Sequence, residues 1–229
     1  MTATTSSPRQ LALALAHAEN FARDDFLAGS SNEAALALVT RWPDWPDRTV
    51  VLVGPEGSGK SHLAAIWAAE AGARFVAARA LAYADIPAAL ATGALVVEDL
   101  AERVVDERAL FHLLNLAREE SAFMLLTAHT PPATWTIAIR DLASRLRALP
   151  VVTVAPPDDA LLRAVIVKMC ADRQLTIDEA LVAYLTTRIN RSFAAARQAV
   201  AWLDHEALRQ QRPVTRALAS ELFRNQPQP

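Results

Sequence analysis

An apolar, β-branched run, Thr49 to Val53, leads directly into "GPEGSGKS" and then into "HLAAIWAAEAG". The middle stretch fits G-x-x-x-x-G-K-[ST], with Gly54, Gly59, Lys60 and Ser61 at the fixed positions. Nothing else in the chain restricts the fold as tightly. Glycines let successive backbone N–H groups curl around a phosphate, and the helix that follows turns the positive end of its dipole toward the same anion. Pro55, Glu56, Gly57 and Ser58 fill the loop, and His62 follows Ser61. The pattern therefore predicts strand, phosphate loop and helix, with Lys60 on the terminal phosphates of ADP or ATP and Ser61 on Mg²⁺. A chance glycine-rich turn is the competing reading, and it explains neither the strand before nor the helix after. Of the 23 basic residues only Lys60 and Lys168 are lysines.

A nucleotide site of this kind needs acids on a neighbouring strand. "ALVVEDL" supplies a buried strand over Ala94 to Val97 with Glu98 and Asp99 at its carboxyl end, where a parallel sheet binds its ligands. One acid would hold Mg²⁺, largely through water, and the other would polarise an attacking water. The alternative makes Asp99 the N-cap of a helix running into "AERVVDERALFHLL". Further apolar strands are expected at 73–78, 121–129 and 149–156, with helices between them, notably 108–120. This alternation predicts an α/β three-layer core with a mostly parallel sheet. After residue 156 only helical patterns remain, beginning with Asp158 and Asp159 as caps and ending with a short helix opened by Pro213. The expected organisation is a tail (1–20), a nucleotide-binding core (21–156), a small all-α lid (157–224) and a second tail (225–229).

With 52% hydrophobic and 21% charged residues, the chain has the composition of a folded globular protein. A formal net charge of −2 argues against autonomous binding to duplex DNA. A single cysteine, Cys170, excludes a disulfide framework, and no signal peptide or 18-residue apolar run is visible, so a cytoplasmic protein with no membrane partner is expected. Cys170 reads as core, and Trp42 and Trp45 as a proline-flanked turn packed on the core. His17, His112 and His205 have no partners at ligand spacing, so no structural zinc is expected.

One segment stays ambiguous on residues alone. In "QLALAL", Leu11, Leu13 and Leu15 alternate behind Gln10 as in an extended strand, while Ala and Leu together favour a helix.

A phosphate loop, an acidic second strand and a helical lid together resemble AAA+ proteins. Three stretches resemble the bacterial replication initiator DnaA and its relatives in particular. In "FARDDFLAGSSNEAALAL", Phe26, Leu27, Gly29, Ser31, Asn32 and Ala35 match the family segment that wraps the adenine base. "LASRL" (142–146) resembles the box carrying the arginine finger, which puts Arg145 in that role. "LLTAHTPP" (125–132) resembles sensor I, with His129 at the sensor position. Within this family the chain is most similar to the DnaA-related regulatory inactivators, the Hda group in its alphaproteobacterial form. Unlike the initiators, the sequence shows no basic helix-turn-helix recognition helix. "QLALAL" is similar to the group's motif for the DNA polymerase sliding clamp, with Gln10, Leu11, Leu13 and Leu15 as anchors.

That resemblance implies a negative regulator of replication initiation. Its partners would be the sliding clamp and DnaA, with DNA met only through the clamp, and as an AAA+ protein it could also assemble with copies of itself. Three positions depart from the family. Glu98 stands where an aspartate for Mg²⁺ is usual, His129 replaces Asp or Asn, and Ala194 aligns with the sensor II arginine, with Arg191 and Arg197 three residues to either side. These departures imply a chain that holds nucleotide, ADP in particular, and hydrolyses it slowly. The alternative is a stand-alone ATPase or P-loop kinase with its own turnover.

Overall fold

The computed structural model describes residues 21–101 and 106–224. Five strands, β1 (Thr49–Val53), β2 (Arg74–Ala77), β3 (Ala94–Leu100), β4 (Phe123–Ala128) and β5 (Val151–Thr153), form one sheet in the order β2-β3-β4-β1-β5. Every pairing is parallel. Parallel sheets need helical crossovers, which cover both faces and leave central strands apolar throughout. All five residues of β1 are accordingly buried. Val50 and Leu52 face one layer, where α1 (Glu33–Thr40) and α2 (Lys60–Ala71) add Leu36, Val39, Leu63 and Trp67. Val51 and Val53 face the other, with Leu110 and Leu113 of α4 (Glu107–Glu119) and Leu142 of α5 (Arg140–Ala148). A short α3 (Ile86–Leu90) lies between β2 and β3 in the chain.

Four further helices, α6 (Asp159–Asp172), α7 (Glu179–Arg188), α8 (Phe193–Gln210) and α9 (Arg216–Arg224), enclose a separate core of Leu162, Ile166, Leu181, Leu185, Val200 and Leu218. Cys170 belongs to that core, and burial pushes its thiol up to about 11. Asp158 and Asp178 cap α6 and α7, each accepting from the backbone N–H three residues on. Trp45 stacks on Trp67 at 4.9 Å and donates its indole N–H to Leu38 O.

Several local expectations need correction. The strand expected at 73–78 is present as β2, at the sheet edge with Arg74 and Phe75 exposed. β3 continues through Glu98 and Asp99 to Leu100. Asp99 caps no helix: α4 starts at Glu107, with Asp106 accepting from Ala109 N. Pro213 precedes α9, which opens at Arg216, and Thr215 Oγ1 accepts from Leu218 N.

Candidate nucleotide site

The phosphate loop leaves the carboxyl end of β1, between β4 and β5. A Cβ at Gly54 would lie 2.2 Å from Val154 O, and Val154 N is itself bonded to Val53 O at 2.7 Å, so the strands hold this space for glycine. Gly57 (φ 71°) and Gly59 (φ 99°) are left-handed, and Gly59 is the N-cap of α2. Lys60 is 6% exposed, and its Nζ donates to Gly54 O and Pro55 O, both at 2.9 Å. Burial draws its pKa down, against the opposing pull of Asp99, Glu56 and Glu98. Ser58 Oγ is buried in the same loop and has no hydrogen-bond partner among the described residues. Such an orphaned hydroxyl, set in a glycine cradle at a helix N-terminus, fits a phosphate oxygen.

Glu98 and Asp99 reach this loop through an irregularity in β3. The register with β4 shifts between Val97 and Leu100, Asp99 takes φ 57°, and its N–H donates to Thr127 Oγ1 at 3.0 Å. A cleft of about 830 Å³ then brings together Lys60, Ser61, Glu98, Asp99 and His129. Ser61, Glu98 and Asp99 fit Mg²⁺, which takes few protein ligands and completes its shell with phosphate and water. Among the described residues no cluster of three His, Cys, Asp or Glu side chains could hold a metal without such help.

A second cavity, of about 410 Å³, adjoins the first and shares Gly59, His62, Phe193 and Arg197 with it. Phe26, Leu27, Val165 and Met169 give it apolar walls. His62 sits edge-on to Phe21 (5.3 Å) and Phe26 (5.1 Å). Its Nε2 is 3.0 Å from Ala22 O and carries the proton there, because a carbonyl only accepts. Burial holds the imidazole below its ordinary pKa, more than the Ala22 carbonyl and Asp25 raise it. Asn32, 1% exposed, shapes the segment around this wall by accepting from Gly29 N and donating to Leu27 O. A Cβ at Gly29 would come within 3.0 Å of Leu161 on α6, so the segment runs close under the lid.

The lid reaches the phosphate loop through the start of α8. Phe193 N donates to Gly57 O at 2.8 Å, and a Cβ at Gly57 would meet Ala194 Cβ at 3.0 Å. The two arginines flanking Ala194 separate here. Arg191 pairs with Asp159 at 2.9 Å on the surface, whereas Arg197 lines both cavities. Arg145, on α5, lines neither. Its Nη1 donates to Asn115 Oδ1 at 2.6 Å, its Nη2 pairs with Asp141 at 3.1 Å, and its guanidinium lies 5.1 Å from the centre of the Phe111 ring. Gln10, Leu11, Leu13 and Leu15 lie outside the described residues.

Sequence reasoning assigned no role to Asp25, Arg79, Lys168, Asp172 or Phe193, all of which line one or both cavities. The scarcity of lysine was the one available signal, and it pointed at Lys168 without saying what it faces.

No family model matches the sequence, and no curated protein matches it. Solved structures do. Domain III of the Thermotoga maritima replication initiation protein DnaA superposes with a TM-score of 0.76 at 16% identity, covering 91% of this chain and 98% of that one. AMPPCP-bound DnaA from Aquifex aeolicus gives 0.63 at 18% identity; the match covers 80% of this chain and only 64% of that longer one. The Thermotoga maritima RuvB Holliday junction branch migration motor gives 0.69 at 17% identity over 90% of this chain and 72% of that one. No helix among the described residues is long and apolar enough to cross a membrane. Sheet order, phosphate loop and helical lid together give this chain the AAA+ fold, in the form seen in DnaA domain III.

Proposed function

We propose that this chain is a nucleotide-bound AAA+ regulator of DnaA-dependent replication initiation. It holds ADP or ATP with Mg²⁺ in the two joined cavities, docks on the sliding clamp through Gln10, Leu11, Leu13 and Leu15, and supplies Arg145 to the ATP site of a neighbouring DnaA molecule. Hydrolysis there converts the initiator to its ADP form, and DNA enters only as the strand threaded through the clamp.

Arg145 carries the reading. Its guanidinium is braced by Asn115, Asp141 and Phe111 and lines neither cavity of its own chain. A braced cation away from the chain's own nucleotide suits a finger offered to a neighbour's phosphate, a contribution worth about 10³–10⁵-fold in rate. Further support comes from Ala194, which brings no charge to the phosphates where an arginine is the family habit.

The test is DnaA ATPase activity in the presence of clamp-loaded DNA, with Arg145→Ala compared against the unchanged chain. The variant should keep clamp and nucleotide binding and lose the stimulation; stimulation that survives removes the finger assignment. A second reading, a stand-alone ATPase, draws on Arg197, which could supply the terminal-phosphate contact that Ala194 lacks. Rapid turnover by the chain without DnaA, abolished in Lys60→Ala, would favour that reading over the regulator.

A further inference from the structure

Helix α5 begins without a cap of its own. Its N-cap, Ile139, makes no side-chain capping bond, and the third residue of its first turn, Leu142, is apolar. It therefore lacks both halves of a capping box, in which a hydroxyl serves the third amide and a carboxylate serves the N-cap amide. The second of those bonds comes instead from α4. Glu107 Oε2 accepts from Ile139 N at 2.9 Å, and Glu107 Oε1 accepts from Ala138 N at 3.0 Å. A carboxylate at a helix N-terminus also suits the positive end of the dipole. Glu107 shares one face of α4 with Phe111 and Asn115, each one helical turn further along. These two residues lie against the Arg145 guanidinium. Asn115 Oδ1 accepts from Arg145 Nη1 at 2.6 Å, and the centre of the Phe111 ring is 5.1 Å from the guanidinium carbon. A single stripe of α4 thus holds α5 both at its start and at the arginine.

We propose that Glu107 is a positioning residue for Arg145, fixing where α5 lies along α4 and hence where the guanidinium stands. The inference rests on the finger role proposed above for Arg145. Apolar packing of Leu142 and Leu146 holds α5 to the core, but such packing is non-directional and does not by itself set the helix's position along its axis. Directional bonds at two points do. Arg145 follows Ile139 by about 9 Å of helix, so Glu107 on the first amides and Asn115 on the arginine fix both position and direction. The bond from Arg145 to Asp141 stays within α5 and sets nothing between the helices. A carboxylate serves the two amides with one oxygen each. Glutamine presents one oxygen and one NH₂, so one of the two N–H groups loses its acceptor. Position matters because a finger acts on a reacting phosphate, where a displacement of about 1 Å can cost about 100-fold in rate.

The test compares Glu107→Ala and Glu107→Gln with Asp106→Ala, which removes the neighbouring cap of α4, a bond from Ala109 N that does not involve α5. Thermal melts confirm that each full-length variant folds. The guanidinium N–H resonances of Arg145, assigned by their loss in Arg145→Ala, report its place against the Phe111 ring. They should move in Glu107→Ala, move less in Glu107→Gln and stay in place in Asp106→Ala. On clamp-loaded DNA, the maximal stimulation of DnaA hydrolysis should fall about 10- to 100-fold in Glu107→Ala. The concentration giving half of that maximum, and the affinity for ADP, should stay within about threefold of the unchanged chain. Glu107→Gln should lie between, and Asp106→Ala should keep full stimulation. Equal losses in Glu107→Ala and Asp106→Ala would reduce Glu107 to a stabiliser of α4 and overturn its positioning role. Unmoved Arg145 resonances, or an unchanged maximum, in Glu107→Ala would overturn it as well. If the unchanged chain leaves DnaA hydrolysis at its basal rate, the finger reading falls, and the resonances still decide whether Glu107 places Arg145.

Discussion

At the scale of single residues, the strongest constraints are steric, and Gly54 is the sharpest of them. An alanine there would drive its methyl to 2.2 Å from Val154 O and 2.9 Å from Ser58 Oγ. Neither side can yield cheaply. Gly54 N is bonded to Ala128 O and Val154 N to Val53 O, so relief would mean parting β1 from β4 or from the residue that follows β5. Overpacking of this kind costs about 1–3 kcal/mol, which lowers Tm by about 2–4 °C for each kcal/mol in a chain of this length. We expect Gly54→Ala to melt earlier by that margin and to bind ADP far more weakly, because the same shift moves Ser58 and the loop carbonyls that hold Lys60. A melt at the unchanged temperature would show that β5 gives way more easily than its hydrogen bonds suggest. The motif alone names Gly54, but the Val154 carbonyl that excludes a side chain comes from a hundred residues away and leaves no mark in the local sequence.

At the scale of elements, the sequence was most readable where periodicity and capping acted locally, and least where a tertiary contact set the geometry. β1 and α2 could be read because an apolar strand, three glycines and a helix dictate one arrangement. The extension of β3 could not: Asp99 is held left-handed by its N–H bond to Thr127 on β4, a contact no local pattern announces. The exposure of β2 likewise follows from its place at the sheet edge, which only the strand order reveals. Helix α8 shows both cases. Its Ser192 cap is legible in "RSFAAAR", yet the choice between Arg191 and Arg197 depends on Asp159, which draws Arg191 outward, and on the docking of Phe193 N on Gly57 O, which turns Arg197 toward the cavities. On the stand-alone ATPase reading, Arg197→Ala should weaken ATP more than ADP by about 10-fold or more, the scale of one hydrogen bond to a charged group of about 1.5–3 kcal/mol. Arg191→Ala, which breaks an exposed ion pair worth about 0–1 kcal/mol, should leave both affinities nearly unchanged. Titration of the two variants with a non-hydrolysable ATP analogue and with ADP reads this directly; equal losses of both nucleotides in Arg197→Ala would move the arginine from the terminal phosphate to the base side of the cleft.

At the scale of the whole molecule, the described residues divide their work between two cores. The sheet fixes the phosphate loop and the acids, and α6 and α8 of the lid wall the smaller cavity. Among the described residues, the two faces of the sheet and the helical lid each have their own buried cluster. The leucines of "QLALAL" lie outside the described residues. Under the proposed function that segment contributes to location and not to folding, because Arg145 would act only where a clamp brings it beside DnaA. Changing Gln10 and Leu13 together to alanine should then leave Tm and ADP affinity as they were, while capture on clamp-loaded DNA disappears. DnaA hydrolysis should return to its basal rate on that DNA even though Arg145 is intact. A high concentration of the double variant should restore part of the stimulation, since tethering supplies effective concentration and no new chemistry. Arg145→Ala should behave in the opposite way, captured normally and inert at any concentration. A fall in Tm for the double variant would instead assign the leucines to the fold and separate the clamp from the mechanism.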